Sequence, residues 1–379
     1  MAVAESPVGG WSERWFGWRD RLLADPRFQR WAARFPLTKP IAEKRSRELF
    51  DLVAGFVYSQ VLLACVRLNL FEELAAGPRR ADDLAARLNL STEAAERLLD
   101  AAVSLRLVRR AAGDRYGLGD LGAALRANPG VVAMIEHHHL LYADLADPVA
   151  LLRRELAEPQ LQAYWAYARS GAPAALDDPR VAAYSALMSA SQPLVSGDIL
   201  DAYDFGRHRC LMDVGGGEGA FLQAVAARVP GLDLRLFDLP PVAARAQARF
   251  DAAGLGHRAR AHGGSFLDDE LPQGADVISL VRVVHDHDAA AVQTLLAAVN
   301  RALPDDGTLV VAEPMAETKG AEPMGGAYFG FYLWAMGSGR PRSPKSLESL
   351  LERAGFTDLR WVPTARPMLT RLLTARPRR

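Results

Sequence analysis

Apolar positions change their period near residue 196. Before it, apolar residues recur at helical spacing; after it, short apolar runs alternate with amphipathic stretches. Leu211–Val214, Leu234–Phe237, Ala275–Val284 and Thr308–Ala312 read as buried strands, and the first is followed by a helix near Ala220–Arg228. Strand–helix alternation implies a parallel sheet with helices on both faces, an α/β fold. The chain therefore divides into an extension over 1–40, a mostly helical part over 41–195 and a Rossmann-like part over 196–379, the last boundary being set near Gly197, where the alternation starts.

Within the helical part, Arg80–Tyr116 has a winged-helix pattern. Ala81–Leu88 is a short amphipathic helix, Ser91 is a good N-cap for a helix to about Leu105, and Leu107–Leu118, broken at 112–114, suggests a hairpin wing. The second helix carries Glu93, Glu96 and Asp100 against Arg97, so its face would repel phosphates, which favours a dimerisation module over a DNA reader. Leu52–Val66 is the longest uncharged apolar run; it is shorter than the ~20 residues of a membrane span and is expected at a core or subunit interface.

The chemistry concentrates in Asp213-Val-Gly-Gly-Gly-Glu-Gly219. Glycines between a strand and a helix let the backbone approach a ligand. The next strand ends at Asp238, 23 residues beyond Gly215 (238 − 215), near the spacing at which α/β nucleotide folds offer a carboxylate to ribose hydroxyls. Gly215, Gly217 and Ala220 also fit a dinucleotide pattern. Asp213, just before the glycines, favours a methyl donor bearing an ammonium and would repel a pyrophosphate. A third strand runs into His285-Asp286, and a fourth into Glu313, so all these groups are delivered to the carboxyl edge of the sheet, where such folds bind ligands.

Five segments carry a family resemblance: 213–219, Phe237-Asp-Leu-Pro240, Gly264–Pro272, Arg282-Val-Val-His-Asp286 and Glu313-Pro314. In order and spacing they resemble the plant-type O-methyltransferases, over roughly Ser46–Phe356. Within that family, Leu49–Leu70 and Gly263–Asp288 look most like the bacterial hydroxyneurosporene and demethylspheroidene O-methyltransferases of carotenoid biosynthesis. The resemblance implies S-adenosylmethionine as cofactor, a Rossmann-like catalytic domain, and a winged-helix module swapped across a homodimer. It implies Asp213, Gly215, Gly217, Asp238, Leu239, Ser265, Phe266 and Arg282 around the cofactor. Ser265 stands where family members usually have an acid for the adenine amine, and Glu218 where a small hydroxyl residue is commoner.

The resemblance also implies His285 as general base, a role that a neutral imidazole with a pKa near ~6.5 can fill. Glu313 would fix its tautomer, with Asp286 a second carboxylate beside it or touching the substrate. The family's further acid before the Arg-Ser step is Pro341 here. An incomplete base system is compatible with a tertiary alcohol, whose proton leaves late and whose reaction depends on alignment. The implied acceptor wall is Tyr184 and Met188 on one helix and Phe331, Tyr332 and Met336 on another, extended by Tyr164, Trp165 and Tyr167. All are apolar or aromatic, which suits the long hydrocarbon of a carotenoid better than a polar phenolic acid; a phenolic or polyketide small molecule is the alternative acceptor. His137-His138-His139 cannot converge on one ion from a helix, and no metal site is expected.

Composition narrows the setting. Forty-five basic and 45 acidic residues cancel, against a general nucleic-acid role, and two cysteines, Cys65 and Cys210, suit a reducing cytoplasm. Residues 1–20, broken by charges and tryptophans, do not read as a signal peptide. From 11 to 45 the extension holds nine Lys/Arg against four acids, interleaved with Trp11, Trp15, Phe16, Trp18, Phe28, Trp31 and Phe35. That pattern fits either packing on a partner subunit or peripheral contact with an anionic inner or photosynthetic membrane.

Overall fold

A computed structural model describes residues 8–169 and 192–378. The chain forms two compact units, Met1–Ala123 and Ala124–Arg379. Compactness thus groups the helices after 124 with the sheet, whereas the boundary near 196 marks the start of strand–helix alternation.

The first unit begins with α1 (Val8–Ala24), α2 (Pro26–Ala32) and α3 (Lys39–Arg67), followed by α4 (Leu70–Glu73). After β1 (Arg79–Arg80) come α5 (Ala81–Leu88), α6 (Thr92–Ser104), β2 (Val108–Ala111) and β3 (Arg115–Leu118). The expected wing is present as a three-stranded sheet in the order β1-β3-β2, and Ser91 caps α6 by accepting from the Ala94 N–H at 3.2 Å. On α6, Glu93 pairs with Arg97, and Asp100 with Arg110 of β2. The apolar run in α3 does not enter a core along its length. Leu63, Cys65 and Val66 are buried, but Leu52 is 82% exposed and Phe56 67%.

The second unit opens with α7 (Asp120–Arg126), which crosses the division, then α8 (Pro129–Asp144), α9 (Pro148–Arg153), α10 (Gln160–Arg169) and a helix over 192–202, α11. The sheet and its helices follow: β4 (Cys210–Val214), α12 (Ala220–Arg228), β5 (Asp233–Asp238), α13 (Pro240–Ala252), β6 (Ala259–Gly263), β7 (Val277–Val281), α14 (Ala289–Ala302) and β8 (Thr308–Glu313). A π-helical turn, Met324–Tyr328, leads into α15 (Phe329–Met336); α16 (Pro344–Arg353), β9 (Phe356–Val362) and β10 (Arg371–Pro377) complete the unit. The seven strands lie in the order β6-β5-β4-β7-β8-β10-β9, the first five parallel and β10 antiparallel to both neighbours.

Both faces of the sheet are covered, which explains why its strands read as unbroken apolar runs. Along β4, Leu211 enters one core with Phe221, Leu222, Leu234 and Phe250, while Met212 enters the other with Leu280, Leu295 and Leu350. The order reverses between β4 and β7, because β4 continues to β5 on one side and meets β7 on the other. In such sheets that switch point opens the ligand crevice at the strands' carboxyl ends.

Candidate active site

The glycine turn after β4 and the acid ending β5 are joined directly. The Gly217 N–H donates to Asp238 Oδ2 at 2.8 Å, and the Leu239 N–H donates to Oδ1 at 2.7 Å. Gly217 has φ +59° and open space where a side chain would project, so this turn can accept a ligand against its backbone. Burial pushes the Asp238 carboxyl up to about 6, against the two amides and Arg245.

Asp213 lies at 1% exposure beneath the same turn. One oxygen accepts from the Ser279 hydroxyl at 2.6 Å; the other is buried without a hydrogen-bond partner. Burial pushes its pKa up to about 7, the Ser279 bond opposing and Asp238 adding. A buried acceptor with an unused oxygen is suited to a cationic group, which would restore its charge. An open glycine turn, an underused buried carboxylate and a second carboxylate one strand away therefore fit an adenosine-containing donor with a positive charge.

Glu218 is held by two arginines. Its carboxylate accepts from Arg245 at 2.9 Å and Arg249 at 2.8 Å, both on α13, and ties the glycine turn to the helix that follows Asp238. Ser265 is engaged locally: its hydroxyl donates to Asp268 at 3.0 Å and accepts from the Leu267 N–H. The Phe266 ring meets His287 edge-on, with centroids 5.1 Å apart. Arg282, the residue after β7, takes a left-handed backbone (φ +58°) while its N–H bonds to Ala312 O at 2.9 Å. Such strain in a non-glycine residue concentrates at ligand sites.

His285 stands on a 3₁₀ turn, Val284–Asp286, beyond the end of β7; the strand predicted to reach Val284 stops at Val281. Glu313, the last residue of the neighbouring parallel strand, is 3% exposed and meets that turn from the side. One of its oxygens accepts from the Val283 and Val284 N–H groups at 2.9 and 2.6 Å. The other takes a hydrogen bond from His285 Nδ1. Asp286 Oδ1 lies 3.1 Å from His285 Nε2. Burial, the largest single influence, pulls the imidazole pKa down, but Asp286 and Glu313 together outweigh it and leave it raised. The three expected side chains thus converge in one cluster, His285 and Glu313 buried and Asp286 half-buried.

Two of the residues expected to wall the acceptor are buried. Tyr332 and Met336 are core residues, packed with Leu141, Leu161 and Tyr164. Tyr332 bonds His137 Nε2 at 2.8 Å, and Tyr328 bonds His138 Nε2 at 2.8 Å. His139 Nδ1 instead donates to the Glu136 carbonyl at 2.8 Å. Phe331 is half-buried against the same cluster. Phe329, which was not singled out from the sequence, places its ring edge-on to His285 at 6.0 Å between centroids. Tyr184 and Met188 lie outside the described residues.

Residues 142–357 match the O-methyltransferase domain family, and 50–128 match the O-methyltransferase dimerisation domain. The demethylspheroidene O-methyltransferase of Cereibacter sphaeroides is 45% identical over 355 residues, covering 94% of this chain and 93% of its own. That of Rhodobacter capsulatus is 42% identical, covering 94% and 88%. Among solved structures, an SAH-bound methyltransferase of calicheamicin biosynthesis superimposes with a TM-score of 0.69 at 25% identity, covering 88% of this chain and 98% of that one. With a glycine turn and paired carboxylates suited to the donor, and both family domains in sequence, the chain belongs to the plant-type, S-adenosylmethionine-dependent O-methyltransferases and carries their homodimerisation module.

Proposed function

We propose that the enzyme methylates the tertiary 1-hydroxyl of an acyclic carotenoid, with His285 as general base. The observation that carries the chemistry is the Glu313–His285–Asp286 cluster at the carboxyl edge of β7 and β8, with Glu313 and His285 buried. The acceptor class rests on relatives of 45% and 42% identity whose names specify demethylspheroidene.

S-adenosylmethionine, when bound, supplies a methyl group on a positively charged sulfur. We assign Asp238, Gly217, Gly215 and Leu239 to its adenosine side, with Ser265, Phe266 and Arg282 around the base, and Asp213 to its cationic side. Glu313 holds the proton of His285 on Nδ1, which leaves Nε2 as the free base. Asp286, half-buried beside Nε2, stabilises the imidazolium once Nε2 takes the hydroxyl proton. A tertiary alcohol is too weak an acid to ionise first, so its proton passes to Nε2 as the new C–O bond forms. Alignment then supplies much of the rate, up to roughly 7–11 kcal/mol in favourable cases. Phe329 and Phe331 line the acceptor side. A host accumulating an acyclic 1-hydroxycarotenoid should, on expressing the enzyme, convert the pigment to its methyl ether; unaltered pigment beside soluble enzyme would count against this acceptor.

The raised imidazole gives a pH prediction. With saturating donor, kcat should rise with pH through a value above the ordinary ~6.5 of histidine. Asp286→Asn removes a charge that favours the imidazolium, so the acid limb should move to lower pH. An unmoved limb in that variant would detach Asp286 from the base.

The extension supports a second part of the proposal, peripheral contact of a cytoplasmic enzyme with an anionic membrane. Trp15, Trp18 and Trp31 are 59%, 51% and 50% exposed, and Trp31 stacks on Phe35 at 5.0 Å. These residues precede the dimerisation-domain match, which starts at residue 50 within α3. By length and composition alone, α3 could cross a membrane, but its second half belongs to that dimerisation domain. Aromatics at headgroup level with arginines on anionic lipid would bring the enzyme to a bilayer-held acceptor. Deleting residues 1–35 should reduce flotation with anionic liposomes and slow methylation of membrane-held carotenoid, while sparing detergent-dispersed substrate. A truncated protein that floats equally well excludes the membrane role; one that fails to dimerise shows the aromatics to be subunit packing.

A further inference from the structure

The turn bearing His285 belongs to neither strand nor α-helix, so its carbonyls need partners from elsewhere. They find them in one five-residue segment. Val284 O accepts from an Arg342 Nη, and His287 O accepts from the other at 2.6 Å. His285 O accepts from the Arg340 N–H at 3.0 Å, and Asp286 O from the Ser338 hydroxyl at 2.7 Å. Four consecutive carbonyls are thus held by residues 338–342. Gly339 (φ +78°) passes so close that a side chain there would sit 2.2 Å from His285 O. Arg342 is 4% exposed, and its own carbonyl accepts from the Ala316 N–H just beyond β8. Glu313 in turn holds the Val283 and Val284 amides.

We propose that residues Ser338–Arg342 form a positioning strap for the catalytic base, with Arg342 as its clamp, and that the strap does the orienting for which Pro341 leaves no carboxylate. The segment follows directly on Gly337, the C-cap of α15, so the helix carrying Phe329 and Phe331 runs straight into the strap that grips the base. Acceptor wall and base are thereby held as one piece. Arg342 touches no reacting atom; it acts through His285, and the inference rests on His285 being the base. A shift of about 1 Å at a reacting centre can cost on the order of 10²-fold in rate.

The test uses full-length Arg342→Gln, Arg342→Lys and Ser338→Ala, with His285→Ala alongside. Arg342→Gln should lose roughly 10- to 100-fold in kcat, while its donor Kd stays within about twofold of the parent enzyme's. Its acid limb should move to lower pH as His285 leaves its two carboxylates. Arg342→Lys, able to keep one carbonyl contact, should recover part of the rate. If Arg342→Gln does not fold, Ser338→Ala decides, with an expected loss of several-fold in kcat at unchanged donor affinity. Parental kcat and pH profile in the folded variants, with His285→Ala inactive, would overturn the strap and leave the base intact. Parental turnover in His285→Ala would instead remove the base assignment on which the strap depends.

Discussion

Replacing His285 with alanine should lower kcat by about 10²- to 10⁴-fold, the usual contribution of a positioned base, and leave donor affinity nearly unchanged. The separation follows from the geometry. His285 shares no hydrogen bond with the Gly217–Asp238 pair, and Glu313 keeps its bonds to the Val283 and Val284 amides without it. One oxygen of Glu313 would lose its partner in a buried setting, a cost of roughly 1–3 kcal/mol in stability. Rates should therefore be taken well below the melting transition of the variant. Near-parental turnover would mean that alignment alone carries the reaction, or that Asp286 or water receives the proton.

The second large effect is on the donor. Asp238→Ala removes a carboxylate that takes two backbone N–H donors and that we assign to the donor's ribose hydroxyls. Hydrogen bonds to a charged group contribute about 1.5–3 kcal/mol, so Kd should rise roughly 10- to 150-fold. The glycine turn loses its tether through Gly217 as well, so part of the loss comes from a less ordered cradle. Asp238→Asn, which can still accept from one of the two amides, should fall between. Titration calorimetry on folded protein reads both, and an unchanged Kd in Asp238→Ala would remove the donor site from the end of β5.

What was legible in the sequence follows from which forces leave a side-chain signature. Strands β4, β7 and β8 announced themselves because both faces are buried and most of their positions are apolar. Asp213, Asp238 and Glu313 stood out as acids ending such runs, and the wing of the first unit was marked by its capping serine and broken hairpin. Arg342 left no such mark: its partners are backbone carbonyls, which any residue types supply. Glu218 made sense only once folding brought Arg245 and Arg249 to it. Tyr332 and Met336 share a helical face, but spacing cannot say whether that face meets a ligand or the protein's own core, and here it packs with Leu141 and Leu161. The apolar run in α3 was expected at a core or a subunit interface; only Leu63, Cys65 and Val66 of it are buried in the single chain, as in a surface awaiting a second subunit.

The most direct measurement is a turnover assay with the purified full-length enzyme and donor carrying a labelled methyl group. An acyclic 1-hydroxycarotenoid in anionic liposomes is set against a simple phenol at equal concentration. The expected result is label on the carotenoid's tertiary oxygen, located by mass spectrometry, at a kcat/KM far above that for the phenol, and lost in His285→Ala. Label appearing preferentially on the phenol, or on the carotenoid at equal rate in His285→Ala, would contradict it.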